Sequence, residues 1–221
     1  IVRSLVGSEM CIRDRSYLLL GGLEGEEMNY SPEIKHMPFI QTLTSIIVVA
    51  IENKRFASEI LEQEVQKKEI QVAGEMQKLL FPLEFPKNKY IEVAARYEPK
   101  HLVGGDYYDF IVLNESEYFF CIADVSGKGV AAALLMSNFQ ANLRAIIKYN
   151  YMKISLEDLI KNLNEDVNNA AKGEKFITFF AAHYNGKTKT LQYINAGHNY
   201  PILVDHQKTK LLNKGCIGLG M

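Results

Sequence analysis

The stretch from Asp106 to Asp124 constrains the fold more than any other part of this 221-residue chain. Two runs rich in aromatic and β-branched residues, 107–112 and 118–123, flank the polar segment "LNESE". A loop of that length closes an antiparallel hairpin, so the pattern predicts two paired strands. Pairing the two residues that flank the loop sets a register in which Asp106 lies opposite Asp124, with both side chains on one face of the hairpin.

Two carboxylates in this position would have Cβ atoms about 4.5–5.5 Å apart and would repel each other. In a partly buried setting one of them would stay protonated unless a cation lay between them. Oxygen ligands of this kind suit Mg²⁺ or Mn²⁺ better than Zn²⁺. The sequence therefore predicts a divalent metal site at Asp106 and Asp124. Turn capping or a surface ion pair also explains such aspartates, and the residues alone leave that alternative open.

Glycines flank both predicted ligands, in "GGD" before the first strand and in "SGKG" after the second. Glycine allows backbone, water or substrate to approach closely, which favours a binding site at this end of the hairpin. Asp109 falls on the opposite face by strict alternation, and we expect it to have a structural or supporting role. The "SGKG" segment fails the phosphate-binding loop pattern, because Ile122 stands in place of the first glycine and Gly129 in place of Ser or Thr.

Composition indicates an ordinary globular protein, with 48% hydrophobic and 23% charged residues. The formal net charge of −1 predicts neither a nucleic-acid partner nor attraction to an anionic membrane. Three scattered cysteines favour a reducing compartment, and we expect a cytoplasmic protein. The longest apolar run, residues 39–51, is shorter than the ~20 residues of a spanning helix, so we predict no transmembrane segment and no signal peptide.

The N-terminal third divides into three predicted segments. Residues 1–16 show neither the helix period nor the strand period of apolar residues. We set them aside as a non-family segment, which is either artefactual sequence or a frayed terminus. Residues 17–56 predict a strand followed by a helix that begins at "SPE". Residues 57–82 predict a linker helix with one mostly apolar stripe, made of Ala57, Leu61, Val65, Val72, Met76 and Leu79.

The spacing of that stripe is closer to an eleven-residue repeat than to a heptad, which is typical of a nearly straight or slightly right-handed helix pair. We therefore expect a homodimer through the linker helix. A single surface helix packed on its own domain is the alternative. Two prolines then end the helix, and a new domain is expected at 83–221, beginning with a strand over residues 90–99. The later strand and helix patterns predict an α+β domain with antiparallel sheets and helices packed on them.

Four motifs, in order and with fitting spacing, carry a family likeness: "EMQKLLFP", "VGGDYYDF", "ADVSGKGVAAALLMS" and "FITFFAAHYNGKTKTLQYINAGHNYPILV". They resemble the SpoIIE/RsbU branch of the PPM metal-dependent serine/threonine protein phosphatases. Residues 17–56, which end in a helix containing "AIEN", resemble the C-terminal end of a GAF sensor domain.

The resemblance implies an αββα sandwich of two antiparallel sheets, incomplete in this chain, with a two-metal site for Mn²⁺ or Mg²⁺. It makes Asp106 the first metal-binding acid, Asp124 the aspartate that bridges both metals, and the backbone carbonyl of Val125 a further ligand. Both aspartates would be catalytic through a metal-bound water that attacks the phosphorus of a phosphoserine or phosphothreonine. The implied substrate is a phosphorylated regulatory protein of the anti-sigma-factor antagonist type in bacterial signalling.

The sequence departs from the family at two places. Eukaryotic relatives carry a His shortly after the bridging aspartate, whereas this chain has Ser126, Gly127 and Lys128. His198 is a candidate proton donor, and a loop histidine that bonds to the backbone is the alternative. The family also continues to "TDG" and "DD" metal ligands, and the sequence stops at Met221 before both, so we expect a fragment open at both ends that binds metal weakly and turns over poorly. The alternative function is a catalytically incomplete regulatory or dimerisation module.

Overall fold

A computed structural model describes residues 4–8, 16–20, 37–150, 154–205 and 208–221. The chain divides into two compact units, residues 1–67 and 68–221, and each is described by itself.

The first unit begins with a two-stranded hairpin. Strand β1, Ser4–Ser8, pairs antiparallel with strand β2, Ser16–Leu20, with Ser4 opposite Leu20. Residues 4–8 show no strand period in the sequence, so β1 was not predicted. A strand is decided by the neighbour it pairs with as much as by its own alternation, and the apolar β2 supplies that neighbour. The strand predicted from Tyr17 is confirmed as β2, while the GAF-like interpretation stays a prediction.

Helix α1 runs continuously from Met37 to Lys78 over 42 residues. The predicted helix start at "SPE" lies outside the described residues. The predicted end before the prolines is confirmed, since only a turn at Leu79 and Leu80 follows. The stripe residues Leu61, Val65, Val72, Met76 and Leu79 are between 49% and 66% exposed. The stripe is therefore not packed into a core of the described residues.

The second unit is built on a five-stranded sheet in the order β3-β4-β5-β6-β9. Its strands are β3 (Tyr107–Val112), β4 (Glu117–Val125), β5 (Ile177–Asn185), β6 (Thr190–Ala196) and β9 (Gly215–Cys216). The first four strands are antiparallel neighbours, and β9 pairs parallel with β6. A separate ribbon pairs β7 (Ile202–Asp205) with β8 (Lys208–Leu211). Helices α2 (Val130–Asn150) and α3 (Leu156–Ala171) complete the unit.

The core lies between one face of the sheet and the two helices. Alternate residues of β4 are buried there, because successive side chains of a strand point to opposite faces. The cluster includes Phe119, Cys121, Ala123 and Val125 of β4, Met136, Phe139 and Leu143 of α2, and Leu159, Leu163 and Val167 of α3. The predicted α+β class, with helices packed on a mostly antiparallel sheet, is confirmed.

The segment before β3 differs from the prediction. Residues 90–99 were expected to form a strand, but the described backbone pairs only through an isolated bridge between Lys87 and Glu92. An alternating sequence becomes a strand only where another backbone offers an edge, and no described strand pairs with this segment. The segment instead forms a wall over the sheet face that the helices leave uncovered.

One helix in the described part of the chain, Val130–Tyr149, is long and apolar enough to cross a membrane by length and composition. A core helix satisfies the same criteria. Met136, Phe139 and Leu143 of this helix lie in the core cluster.

Candidate functional site

The β3–β4 register places Asp106 and Asp124 opposite each other. The ladder runs from Val112 opposite Tyr118 to Tyr107 opposite Ala123. One step beyond the aspartates, the Val125 N–H donates to the Gly105 carbonyl at 3.4 Å, so the register continues past them. The predicted facing arrangement is therefore confirmed. Both aspartates lie where β3 begins and β4 ends, on the face away from the helices.

The two facing carboxyl groups have no ion-pair partner among the described side chains. The pKa of Asp106 is raised, first by partial burial and then by the charge of Asp124 and a hydrogen bond with it, while His198 acts in the opposite direction. Both side chains remain accessible to solvent, so the loss of hydration is only partial. Among the described residues, no group of three Asp, Glu, His or Cys side chains is arranged to hold a metal.

The glycine before Asp106 is required by close packing. A Cβ on Gly105 would lie 3.0 Å from the Val125 carbonyl oxygen and 3.2 Å from the Ala132 Cβ at the start of α2. Both distances are shorter than ordinary van der Waals contact. Gly105 therefore lets β3, β4 and α2 meet at the site, and it places the Val125 carbonyl beside the strand that carries Asp106.

The loop after Asp124 is fixed by backbone conformation and by Ser126. Gly127 and Gly129 have φ of +93° and +74°, in the left-handed region that favours glycine. The Ser126 N–H donates to the Phe176 carbonyl, and its hydroxyl accepts from the Phe176 N–H, both at 2.9 Å. Ser126 is thus a structural link between the end of β4 and the start of β5.

Asp109 points to the buried face, as predicted, and its side chain is fully enclosed. Arg144 of α2 donates to both of its carboxylate oxygens, at 2.7 and 2.8 Å. The Tyr107 hydroxyl donates to the same carboxylate at 2.5 Å, and the Phe110 N–H donates at 2.8 Å. Burial raises the pKa of Tyr107, and the carboxylate of Asp109 raises it further. Asp109 therefore joins β3 to α2 and lies on the opposite face of the sheet from Asp106 and Asp124.

A row of polar residues extends from the aspartate pair across the sheet. Thr178 lies directly opposite Asp124 in the β4–β5 ladder. Its hydroxyl shares a hydrogen bond of 2.9 Å with Nδ1 of His198. Burial lowers the pKa of His198, while Asp106 raises it. Nδ1 of His198 thus bonds to a side chain next to the pair and not to the backbone, and the role of His198 as a proton donor stays a prediction.

Asn195 fixes the backbone of His198. Its Oδ1 accepts from the His198 N–H at 2.7 Å, and its Nδ2 donates to the His198 carbonyl at 3.0 Å. Sequence reasoning missed both Thr178 and Asn195. Only the β4–β5 register decides which residue of "FITFF" lies next to Asp124, and no local sequence pattern gives that register.

A cavity of about 800 Å³ opens beside the pair. Asp106, Asp124 and His198 line one part of it, and residues 91–98 and sheet residues that include Tyr108 and Phe110 line other parts. Such a cavity can accept a polar group next to the carboxylates and an adjoining chain along the apolar wall.

The last turn of α1 holds the loop that leads to Asp106. The Gln77 side-chain amide donates to the Gly104 carbonyl at 2.8 Å, and the Gly104 N–H donates to the Gln77 Oε1 at 3.0 Å. A Cβ on Gly74 would overlap the Leu102 carbonyl oxygen, so this contact needs glycine on the helix. Sequence reasoning placed Gln77 in a family motif but did not identify this role.

Comparison with known families matches residues 114–221 to the family described as Stage II sporulation protein E (SpoIIE). The matched range includes Asp124, Val125, Thr178 and His198, and it begins after Asp106.

Two curated relatives come from Bacillus subtilis (strain 168). Phosphoserine phosphatase RsbU is 34% identical over 138 residues, which is 62% of this chain and 40% of the relative. Phosphoserine phosphatase RsbP is 23% identical over 149 residues, which is 66% of this chain and 36% of the relative. The chain thus spans well under half the length of these relatives.

Among solved structures, the SiaA-PP2C domain of Pseudomonas aeruginosa matches with a TM-score of 0.58 and 14% identity. The match covers 72% of this chain and 64% of that one. At this level of identity the likeness concerns the fold alone.

Proposed function

We propose that this chain is part of a metal-dependent phosphatase that removes phosphate from phosphoserine or phosphothreonine, because residues 114–221 match the SpoIIE family. The observation that carries the proposal is the uncompensated pair formed by Asp106 and Asp124. A structural carboxylate in this fold has its charge neutralised, as Asp109 does through Arg144. The pair at the strand ends has no such cation among the described side chains.

The donor groups at the pair fit a hard divalent cation. Two carboxylates supply charged oxygen ligands, and the Val125 carbonyl beside Gly105 supplies a neutral one. The pKa of Asp106 is raised first by partial burial and then by the charge of Asp124, so keeping both carboxylates ionised here costs free energy, which a cation would recover. We propose Mn²⁺ or Mg²⁺, which when bound lowers the pKa of a water and offsets negative charge on the phosphoryl oxygens.

The residues of the chain have distinct parts in this proposal. Asp106 and Asp124 orient the ligand oxygens from two rigid strand ends, which keeps the site preorganised. His198 lines the same cavity and can exchange a proton near the leaving group, and its hydrogen bond to Thr178 fixes the orientation of the ring. The wall of residues 91–98 limits the access of bulk water.

The substrate, the assembly and the location of the protein are part of the same proposal. The relative RsbU is named a phosphoserine phosphatase, and we propose a phosphorylated signalling protein of the anti-sigma-factor antagonist type as the substrate. The exposed stripe on α1 supports a homodimer through this helix. The near-neutral charge and the scattered cysteines support a cytoplasmic location.

The experiment is Mn²⁺-dependent hydrolysis of a phosphoserine peptide by the 221-residue chain and by Asp124→Asn. The substitution keeps the shape of the side chain and removes the charge that a cation needs, so the rate is expected to fall by about 100-fold or more. Asp166→Asn on α3, away from the pair, is the matched carboxylate control and should keep the wild-type rate. Equal Mn²⁺-dependent rates for Asp124→Asn and the wild type would exclude the proposal.

The second candidate is a regulatory module without catalysis. It is favoured by the long exposed stripe on α1 and by the presence of only two carboxylates at the site within the described part of the chain. This candidate predicts that the wild type and Asp124→Asn dimerise and bind their partner equally well, and that neither protein hydrolyses the peptide.

A further inference from the structure

The hydroxyl of Tyr97 is buried without a hydrogen-bond partner. It is the one buried side-chain nitrogen or oxygen atom among the described residues for which the structure offers none. Leaving such a group unpaired is unfavourable, and buried tyrosine hydroxyls usually have a partner. An unpaired hydroxyl in a folded protein therefore requires an explanation, and its surroundings suggest one.

The Tyr97 ring is held firmly in place. It stacks on Phe81 with ring centroids 4.4 Å apart and an interplanar angle of 28°. Phe81 belongs to the core cluster. The hydroxyl lies over Gly104, where a Cβ would approach it to 2.6 Å. Because Gly104 is itself held by Gln77, the hydroxyl has a fixed position above the backbone that leads into Asp106.

The hydroxyl also lies within the electrostatic influence of the metal site. Burial raises the pKa of Tyr97, and the charge of Asp106 raises it further. The phenol therefore stays protonated and is a hydrogen-bond donor beside a carboxylate. Both residues line the same cavity.

We propose that Tyr97 is a positioning residue for the metal site: its hydroxyl donates a hydrogen bond to the Asp106 carboxylate when that carboxylate binds a divalent cation. This inference rests on the proposed function, because it requires a cation at Asp106. A carboxylate has two oxygens, and a cation that takes one leaves the other free to accept. Hydrogen bonds of this kind orient metal ligands and increase metal affinity.

The test variant is Tyr97→Phe, which removes the hydroxyl and keeps the stacked ring. We expect the dissociation constant for Mn²⁺, measured by calorimetry on the 221-residue chain, to rise by about tenfold. The melting temperature of the metal-free protein should stay the same or rise, because the substitution removes an unpaired buried hydroxyl. Tyr149→Phe, at a tyrosine that is 76% exposed, is the matched control and should change neither quantity.

A second variant tests the same contact from the other side. Gly104→Ala introduces a methyl group at the hydroxyl, and we expect it to weaken Mn²⁺ binding in the wild-type background. In the Tyr97→Phe background the nearest ring atom is the ring carbon that bore the hydroxyl, at 3.7 Å from the new Cβ. The second substitution should therefore add little, and the two effects should be non-additive.

The outcomes separate this inference from the proposed function. Mn²⁺ binding by the wild type that is unchanged in Tyr97→Phe overturns the inference and leaves the phosphatase proposal intact. Weaker binding together with a lower melting temperature assigns Tyr97 a purely structural role and also overturns the inference. A wild-type chain that binds no Mn²⁺ overturns the proposed function, and the inference with it.

Discussion

Strand β3 and the residue before it carry two aspartates three positions apart, and the surroundings of these two side chains are opposite in character. Asp109, on the helix-covered face, receives hydrogen bonds from Arg144, Tyr107 and the Phe110 backbone, so its charge is neutralised within the fold. Asp106, on the open face, meets a second carboxylate and has a raised pKa. A carboxylate with a structural role has its hydrogen-bond donors and its ion-pair partner within the fold. A carboxylate left beside a like charge is retained at a cost in stability, which is typical of functional sites.

The strongest test of this comparison removes the cation that neutralises Asp109. Arg144→Ala leaves a fully enclosed carboxylate without its ion-pair partner, and we expect the free energy of unfolding to fall by about 3 kcal/mol. Urea denaturation measures the change. The matched control is Arg96→Ala, because Arg96 pairs with Glu98 on the surface and is 82% exposed. That variant should change stability by less than about 1 kcal/mol.

Equal losses for the two arginine variants would contradict the comparison. In that case Arg144 would be an ordinary surface residue, and the contrast between Asp109 and Asp106 would have no energetic basis.

A substitution at the carboxylate pair on the open face should change stability in the opposite direction. In the metal-free protein at pH 7, Asp124→Asn relieves the repulsion between the two facing carboxylates, and we expect the free energy of unfolding to rise by up to about 1 kcal/mol. The same substitution abolishes the proposed activity. A variant that gains stability while losing activity is expected for a site held against local repulsion. A loss of stability in Asp124→Asn without metal would contradict this account.

The pH dependence of stability tests the same repulsion between Asp106 and Asp124. The folded protein holds the Asp106 proton more tightly than the unfolded chain, where the pKa is 3.8. The stability from this group is therefore complete below pH 3.8 and is lost as the pH rises through the folded pKa. Asp124→Asn should reduce that loss in urea denaturation series run without metal.

The β3–β4 hairpin was predictable because the residues that determine it are close together in the sequence. Loop length and strand composition fixed the register, and the register fixed which aspartates face each other. The SpoIIE likeness inferred from ordered motifs is confirmed by the family match, and the α+β class by the architecture. The assignment of Asp106, Asp124 and Val125 as metal ligands stays a prediction.

The features that sequence reasoning missed depend on contacts distant in the chain. Thr178 joins the site through the β4–β5 ladder, 54 positions after Asp124 in sequence but adjacent in space. Gln77 and Tyr97 approach Asp106 through a loop whose path no local period encodes. The strand predicted for residues 90–99 failed for the same reason, since pairing depends on a neighbour that alternation cannot reveal.

The smallest expected effect concerns His198, which bonds to Thr178 and is affected by the charge of Asp106. Its pKa is lowered below 6.5 by burial, although Asp106 raises it. The folded protein therefore binds this proton less readily than the unfolded chain. The stability that His198 contributes is complete above pH 6.5 and is lost as the pH falls toward the folded pKa.

Between about pH 7 and pH 5.5 the wild type should thus lose more stability than His198→Gln, whereas the exposed control His101→Gln should follow the wild type. Parallel curves for all three proteins would contradict the prediction.

Adding Mn²⁺ sharpens the test, because a cation at Asp106 offsets the negative charge that favours the imidazolium. The pKa of His198 should then fall further, and its loss of stability should extend to lower pH. If Mn²⁺ changes the pH dependence of stability in the wild type but not in Asp124→Asn, His198 and the carboxylate pair interact through their charges.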